Sequence, residues 1–171
     1  MSQPTSAVIF DMDGVLTDSE PIINAAAVAM FQELGAAVRP DDFLPFVGAG
    51  EDRYIGGVAE LYGVALDLPA AKRRTYEIYL GLVPSQLAAF PGAAELVRAC
   101  RAHGLRIAVA SSADLVKVAA NLHQIGLPIE FWDAVVSCEH VARKKPAPDI
   151  FLAAAEALGL GPGACAGIED A

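Results

Sequence analysis

The chain has 171 residues, 54% of them hydrophobic, and 21 acidic against 12 basic residues give it a net charge of −9. This composition is too apolar for a disordered chain, and the length corresponds to one ordinary globular domain. The acidic balance argues against nucleic acid as a partner, and no apolar run approaches the roughly 18 to 20 residues of a membrane-spanning helix.

Four short apolar runs, each ending at small, polar or acidic residues, are predicted to be strands. They are residues 7–10, 107–110, 134–136 and 165–168, the last interrupted by Gly167. Since they read as continuous apolar runs and do not alternate with polar residues, we expect both faces of the sheet to be covered.

Helical patterns lie between the later strands. Residues 93–102, 115–125 and 149–158 each precede a glycine that is typical of a helix end, namely Gly104, Gly126 and Gly159. Strands that alternate with helices of this length predict an α/β fold with a doubly wound parallel sheet.

Residues 21–89 break this alternation. They contain helical patterns, turn signals at Gly35, Gly48 and Gly63, and no convincing buried strand. We therefore predict a helical cap over residues 21–89, inserted after the first strand, and a core made of residues 1–20 and 90–171.

Each predicted strand delivers polar residues at its carboxyl end, where doubly wound sheets bind their ligands. Asp11 and Asp13 are two residues apart, so in an extended chain their side chains point the same way. The converging carboxylates would be relieved by a hard divalent cation, for which Mg²⁺ is the natural candidate. The polar residues predicted to converge at the strand ends are Asp11, Asp13, Ser111, Lys145, Glu169 and Asp170.

Simpler interpretations exist for some of these residues. Asp11 and Asp13 taken alone could form a strand-to-loop turn. Ser111, Ser112 and Asp114 could cap the helix that starts near Leu115. A run of three basic residues, 72–74, is interpreted as a solvated helix face.

The three cysteines, Cys100, Cys138 and Cys165, are odd in number and far apart, which fits neither a disulfide framework nor a zinc site. We interpret them as reduced thiols that are mostly buried. Since no apolar run is long enough to span a membrane, and the cysteines read as reduced thiols, the sequence indicates a soluble protein of a reducing compartment.

Residues 11–20, DMDGVLTDSE, resemble the first signature of the haloacid dehalogenase-like (HAD) phosphatases. Ser111 is similar to the second signature, residues 145–151 to the third and residues 167–170 to the fourth. Within this superfamily, the chain resembles the HAD domain of plant and algal suppressor-of-quenching proteins, where the domain precedes a thioredoxin-like module and a propeller. That likeness is carried by residues 41–43, 48, 50–51, 56–59, 77–80 and 110–114.

The resemblance implies a HAD-type Rossmannoid core and the hydrolysis of a small phosphorylated metabolite through an aspartyl-phosphate on Asp11. Asp13 would be the general acid and base. The implied ligands of Mg²⁺ are Asp11, Asp13 through its backbone carbonyl, Glu169 and Asp170. The implied substrate contacts are Ser111, Ser112, Lys145 and, from the cap, Gly48 and Glu51.

Two other chemistries of the superfamily are disfavoured. Dehalogenases lack the second aspartate, which is present here as Asp13. Mutases related to β-phosphoglucomutase hold a second phosphate with cations where this chain has Glu51 and Asp114. The neighbouring Arg53 and Lys117 keep a mutase as a lesser alternative.

The resemblance also leaves a second class of function open, a regulatory module of a larger chloroplast redox protein. In that case the compartment would be the chloroplast stroma, and otherwise the cytoplasm. Since family members continue beyond the fourth signature, we expect this chain to be a C-terminally truncated core that binds Mg²⁺ weakly.

Overall fold

A parallel sheet of four strands forms the centre of the structure, a computed structural model that describes residues 4–170. Residues 1–3 and 171, which belong to the predicted core segments, lie outside the described residues. The strands are β1 (Ala7–Phe10), β2 (Arg106–Ala110), β3 (Ala134–Val136) and β4 (Cys165–Ile168), in the order β3-β2-β1-β4. The predicted α/β fold with a parallel sheet is thus confirmed.

Helices cover both faces of this sheet. On one face, Val8 and Phe10 of β1 pack with α4 (Ala93–Ala102) and α5 (Leu115–Gln124). On the other face, Ala7 and Ile9 pack with α6 (Asp149–Ala157). Because neighbouring residues of a strand point to opposite faces, every residue of β1 is buried, which explains the uninterrupted apolar run.

The chain between β1 and α4 forms a separate group of helices, here called the helical layer (residues 20–86). It contains α1 (Glu20–Glu33), a 3-10 helix (Pro40–Phe46), α2 (Glu51–Tyr62) and α3 (Leu68–Gln86). Aromatic and aliphatic side chains, among them Phe31, Phe43 and Ile55, give it a core of its own. The helical content of the insertion agrees with the prediction, while its status as a cap domain remains a prediction.

The two connections between the sheet and the helical layer run side by side. Thr17, just after β1, forms bridges with Asp13 and with Ala89. The amide of Phe90 donates a hydrogen bond of 3.0 Å to the carbonyl of Leu16. The layer is therefore joined to the sheet by a paired two-strand connection beside the carboxyl end of β1.

The N-terminus of α5 is bonded by a side chain from another element and not by its own N-cap residue. Asp114 occupies the N-cap position of α5, but its side chain makes no capping hydrogen bond. The amide of Leu115 instead donates to Glu139 Oε2 at 3.0 Å, and Ser111 Oγ accepts from the amide of Ala113 at 3.1 Å. The alternative interpretation of Ser111, Ser112 and Asp114 as side-chain caps of α5 is therefore not supported, and the Asp114 side chain is bonded to side chains of other elements.

None of the described helices combines the length and the apolar composition that a bilayer crossing requires.

Candidate functional site

A cavity of about 1090 Å³ lies between the carboxyl ends of the strands and the helical layer. From the sheet side it is lined by Asp11, Asp13, Gly14, Ser112, Lys145, Glu169 and Asp170. From the helical layer it is lined by Phe46, Val47, Gly48, Glu51 and Tyr54. The folding thus brings together all the predicted site residues except Ser111, which does not line this cavity.

Lys145 connects two of the carboxylates. Its ammonium lies 2.5 Å from Asp11 Oδ2 and 2.8 Å from Glu169 Oε1. The other oxygen of Asp11 accepts a hydrogen bond of 2.8 Å from the amide of Met12. Burial raises the pKa of the Asp11 carboxyl to about 6, and the bond from Lys145 acts in the opposite direction. Asp11 is therefore a buried, oriented carboxylate with a cation beside it, a suitable nucleophile for a phosphoryl group.

The same carboxylate belongs to a cluster of oxygen atoms. One oxygen each of Asp11, Glu169 and Asp170 lie within 4.8 Å of one another. Gly14 adopts a φ of +80°, and a β-carbon at that position would collide with the carboxylate of Asp170. Only glycine suits both the turn and this close approach. A set of hard oxygen donors at this spacing fits a divalent ion such as Mg²⁺.

Asp13 faces the same cavity but has different partners from Asp11. Asp13 Oδ2 accepts a hydrogen bond of 2.9 Å from Lys117 Nζ, and Oδ1 accepts one from the hydroxyl of Ser19. The side chain of Asp13 is not part of the oxygen cluster of the preceding paragraph. The two aspartates thus occupy different environments, which suits two different chemical roles.

Lys117 was not predicted as a site residue. It lies on α5 with its side chain 4% exposed, and its ammonium is 3.6 Å from Glu51 Oε1 as well as close to Asp13. The pKa of Lys117 is raised above its usual value. Burial by itself would lower this pKa, but the attraction of Asp13 and Glu51 for the charged ammonium outweighs burial. Helical periodicity could have indicated that Lys117 is buried. The buried face of α5 repeats with the helical period and consists of Lys117, Val118, Asn121 and Leu122.

Ser111 and Ser112 differ in what they can do. Ser111 is fully buried, and its hydroxyl is bonded within its own loop. Ser112 lines the cavity, and its hydroxyl oxygen is buried without a hydrogen-bond partner among the described residues. A buried hydroxyl without a partner costs about 1–3 kcal/mol, so Ser112 is suited to bind a ligand oxygen.

The helical layer contributes Gly48 and Glu51 to the cavity, as predicted from the resemblance. Glu51 begins α2 and is buried, which raises its pKa, while Lys117 lowers it. Arg53, two residues further on, turns away from the cavity. Its guanidinium lies 2.8 Å from Glu60 Oε2 and stacks on the ring of Phe46.

A second group of polar side chains, where the helical layer meets the helices of the sheet, surrounds Asp114. Its carboxylate receives Lys72 Nζ at 2.6 Å, the hydroxyl of Tyr76 at 3.0 Å and Cys138 Sγ at 2.9 Å. The interpretation of residue 72 as solvated is wrong, because Lys72 bridges Asp114 and Asp52. Burial, followed by the bond to Asp114, raises the pKa of the Cys138 thiol to about 12. Cys138 is thus a buried thiol, as predicted, whereas Cys100 and Cys165 are only partly buried.

The fold is of the α/β class with a cluster of oxygen donors at the carboxyl edge of its sheet, and sequence comparison identifies the family. A model of the haloacid dehalogenase-like hydrolases matches residues 5–171, and the chain belongs to this family. The resemblance noted in the sequence is therefore confirmed.

Individual relatives refine this assignment. The chain is 52% identical over 169 residues to Protein SUPPRESSOR OF QUENCHING 1, chloroplastic, of Arabidopsis thaliana. The matched segment covers 97% of this chain but only 16% of the plant protein. It is 30% identical over 172 residues to the fructose-1-phosphate phosphatase YqaB of Escherichia coli, covering 100% of this chain and 89% of the relative. The chain thus spans about one sixth of the plant protein and most of the bacterial one.

A solved structure has the same fold. The crystal structure of CbbY from Rhodobacter sphaeroides in complex with phosphate superimposes with a TM-score of 0.88 at 27% sequence identity. The superposition covers 97% of this chain and 78% of the CbbY chain. The family and the phosphatase-named relatives together support hydrolysis of the phosphatase type.

Proposed function

We propose that this chain hydrolyses small phosphate monoesters with the help of Mg²⁺ through an aspartyl-phosphate formed on Asp11. The observation that carries the proposal is the position of Lys145, which bridges Asp11 and Glu169 beside Asp170 at the floor of the cavity. This arrangement places a nucleophile, a cation and a set of hard oxygen donors within reach of one phosphoryl group.

The first step is attack by an Asp11 oxygen on the phosphorus atom. The bond between phosphorus and the leaving oxygen breaks, and Asp13 donates a proton to that oxygen. In the second step a water molecule attacks the phosphorus of the aspartyl-phosphate, Asp13 accepts the proton of this water, and inorganic phosphate leaves with Asp11 restored. Ser19 and Lys117 hold the Asp13 carboxylate in place.

Asp11, Glu169 and Asp170, with the backbone carbonyl of Asp13, are the proposed ligands of Mg²⁺. When bound, the ion supplies positive charge that offsets the negative oxygens of the phosphoryl group. Lys145 neutralises charge on the other side of Asp11. Ser112 binds the phosphoryl oxygens. Ser111 supports this by fixing the conformation of the loop through its hydrogen bond with the amide of Ala113. Gly48 and Glu51 contact the rest of the substrate.

A second candidate function is a regulatory module of a larger chloroplast redox protein. It is favoured by the 52% identity to a chloroplastic plant protein of which the match covers 16%. This candidate places the chain in the chloroplast stroma beside further domains. It requires binding of a ligand or of a neighbouring domain, but no turnover.

The two candidates are separated by phosphate release from a panel of sugar phosphates, phosphoglycolate and nucleotides, with and without Mg²⁺. We expect Mg²⁺-dependent release that falls at least about a thousandfold in Asp11→Asn, because the nucleophile is lost. Asp41→Asn, which changes an exposed aspartate of the helical layer, is the matched control and should retain wild-type activity. Mg²⁺ binding without release from any ester would favour the regulatory module.

A further inference from the structure

The cavity carries a strong excess of negative charge. Seven carboxylates line it against two ammonium groups, those of Lys117 and Lys145, which leaves a formal surplus of five negative charges. A divalent ion at the oxygen cluster would offset two of them and leave three. A substrate therefore meets a negative potential everywhere except at the floor beside Lys145.

Both ammonium groups are already occupied. Lys145 is bound to Asp11 and Glu169 at the floor, where the transferred phosphoryl group would sit. Lys117 is held between Asp13 and Glu51. Along the described part of the cavity wall, no third cation is available to bind an anionic group on the leaving side of the substrate.

The cations near the cavity entrance are also engaged elsewhere. Arg53 pairs with Glu60 on the outer side of α2. The ammonium of Lys144 lies 4.0 Å from Asp52, and Lys144 is not part of the cavity wall. Arg53 lies over the ring of Phe46 and Lys144 next to Gly50, so both cations border the cavity wall, but their charged partners are carboxylates outside the cavity.

Glu51 is the residue of the helical layer that completes this arrangement. It is the first residue of α2, it is buried, and it reaches across to Lys117 on α5. Glu51 and Asp13 together occupy the ammonium of Lys117, and Glu51 adds its own negative charge to the cavity wall. Beside it the wall is formed by uncharged residues such as Phe46, Val47 and Tyr54, whose apolar and hydroxyl surfaces suit a sugar or polyol.

We propose that the cavity selects phosphate monoesters with an uncharged leaving group, such as a sugar or polyol, and rejects those with a second anionic group, and that Glu51 enforces this choice. The inference rests on the proposed phosphatase function and names its substrate class. It separates this chain from enzymes that act on bisphosphates or on phosphorylated carboxylic acids, whose substrates carry a second anionic group.

The test compares two open-chain phosphates that differ only at carbon 1. Sorbitol 6-phosphate carries a hydroxymethyl group there, and 6-phosphogluconate carries a carboxylate. We expect kcat/KM of the wild type with Mg²⁺ to be at least about tenfold higher for sorbitol 6-phosphate, because the carboxylate is repelled at a low effective dielectric. Equal values, or a preference for 6-phosphogluconate, would overturn the proposal.

Two variants locate the effect. Glu51→Gln removes one negative charge from the cavity wall and one of the two carboxylates that hold Lys117, so we expect the preference for the neutral substrate to shrink at least about threefold. Glu95→Gln changes an exposed glutamate of α4 that does not line the cavity and should leave the preference unchanged. An unchanged preference in a folded Glu51→Gln protein would remove Glu51 from the proposal, and the wild-type comparison stands even if this variant does not fold.

A binding measurement separates this inference from the proposed function. Calorimetric titration of Asp11→Asn, loaded with Mg²⁺, with the same two compounds reports selection without turnover. Tighter binding of sorbitol 6-phosphate with no phosphate release by the wild type would refute the phosphatase and support the selectivity. Equal binding of the two compounds, or binding of neither at millimolar concentration, would overturn the selectivity, whether or not phosphate is released.

Discussion

The floor of the cavity and the interface between the sheet and the helical layer each contain a lysine between two carboxylates. At the floor, Lys145 lies between Asp11 and Glu169, and its side chain is 18% exposed. At the interface, Lys117 lies between Asp13 and Glu51 and is 4% exposed. The same ion-pair arrangement thus occurs once around a partly exposed lysine and once around a lysine that is almost completely buried.

This difference in exposure assigns different roles to the two lysines. A buried cation depends on its partners, because removing one member leaves an uncompensated charge away from water. A partly exposed cation is solvated and can exchange partners when a ligand arrives. Lys117 is therefore expected to hold the helical layer on the sheet and to orient Asp13, whereas Lys145 is free to act on a phosphoryl group.

The largest expected effect is that of Lys117→Met on stability. The change leaves Asp13 and Glu51 facing each other without a cation, and we expect the free energy of unfolding to fall by about 3–5 kcal/mol. Lys145→Met, as the matched variant, should cost less, because Lys145 and Glu169 are partly exposed and only Asp11 is buried. Urea unfolding of the metal-free proteins measures both, and similar losses would contradict the distinction between the floor and the interface.

A second prediction concerns Asp11 in the metal-free protein. Its pKa of about 6, raised by burial from 3.8, means that the ionised carboxylate is disfavoured by folding. The folded state thus loses stability as the pH rises through about 6, by on the order of 3 kcal/mol. Asp11→Asn should therefore raise the stability of the metal-free protein at pH 7–8 by up to this amount.

The advantage of Asp11→Asn should shrink as the pH falls from 7 to 4, because wild-type Asp11 becomes protonated in the folded state. Thermal unfolding in EDTA across this pH range measures the effect. A pH-independent difference between the two proteins would show that burial of the carboxylate is not its cause. Asp41→Asn, at an exposed position, should show no pH-dependent difference.

The smallest effect is expected from a comparison on α3. Lys72 and Arg74 each pair with two carboxylates, but Lys72 reaches the buried Asp114 while Arg74 stays on the surface. We expect Lys72→Met to cost about 1–2 kcal/mol of unfolding free energy and Arg74→Met to cost less, because the ion pairs of Arg74 are exposed to solvent. Chemical denaturation of the two variants is the measurement, and a larger loss for Arg74→Met would contradict the importance of burial at the interface.

The floor of the cavity was predictable because its residues follow strands directly. Asp11 comes immediately after β1, and Glu169 immediately after β4, so a parallel sheet brings them to one edge regardless of other detail. Lys145 was assigned from the residue pattern around it, and the structure places it against both carboxylates. Three of the four predicted strands have the observed bounds, and β2 begins one residue earlier.

The interface was less predictable because its partners come from distant elements. Lys117 and Asp13 are 104 residues apart, and Glu51 belongs to α2, whose position relative to α5 no local pattern specifies. The burial of Lys117 on α5 could be inferred from helical periodicity, but its partners could not. The same holds for Lys72, which local composition placed on a solvated face and which the fold directs to Asp114.

The sequence by itself therefore determined the α/β class, the family and the residues at the carboxyl edge of the sheet, since strand ends and short motifs are local properties of the chain. Only the tertiary structure decided how the helical layer meets the sheet, and with it that Glu51 and Asp13 share Lys117 and that Arg53 faces outward. The physical reason is that ion pairing across an interface depends on the relative position of whole elements, which long-range packing sets.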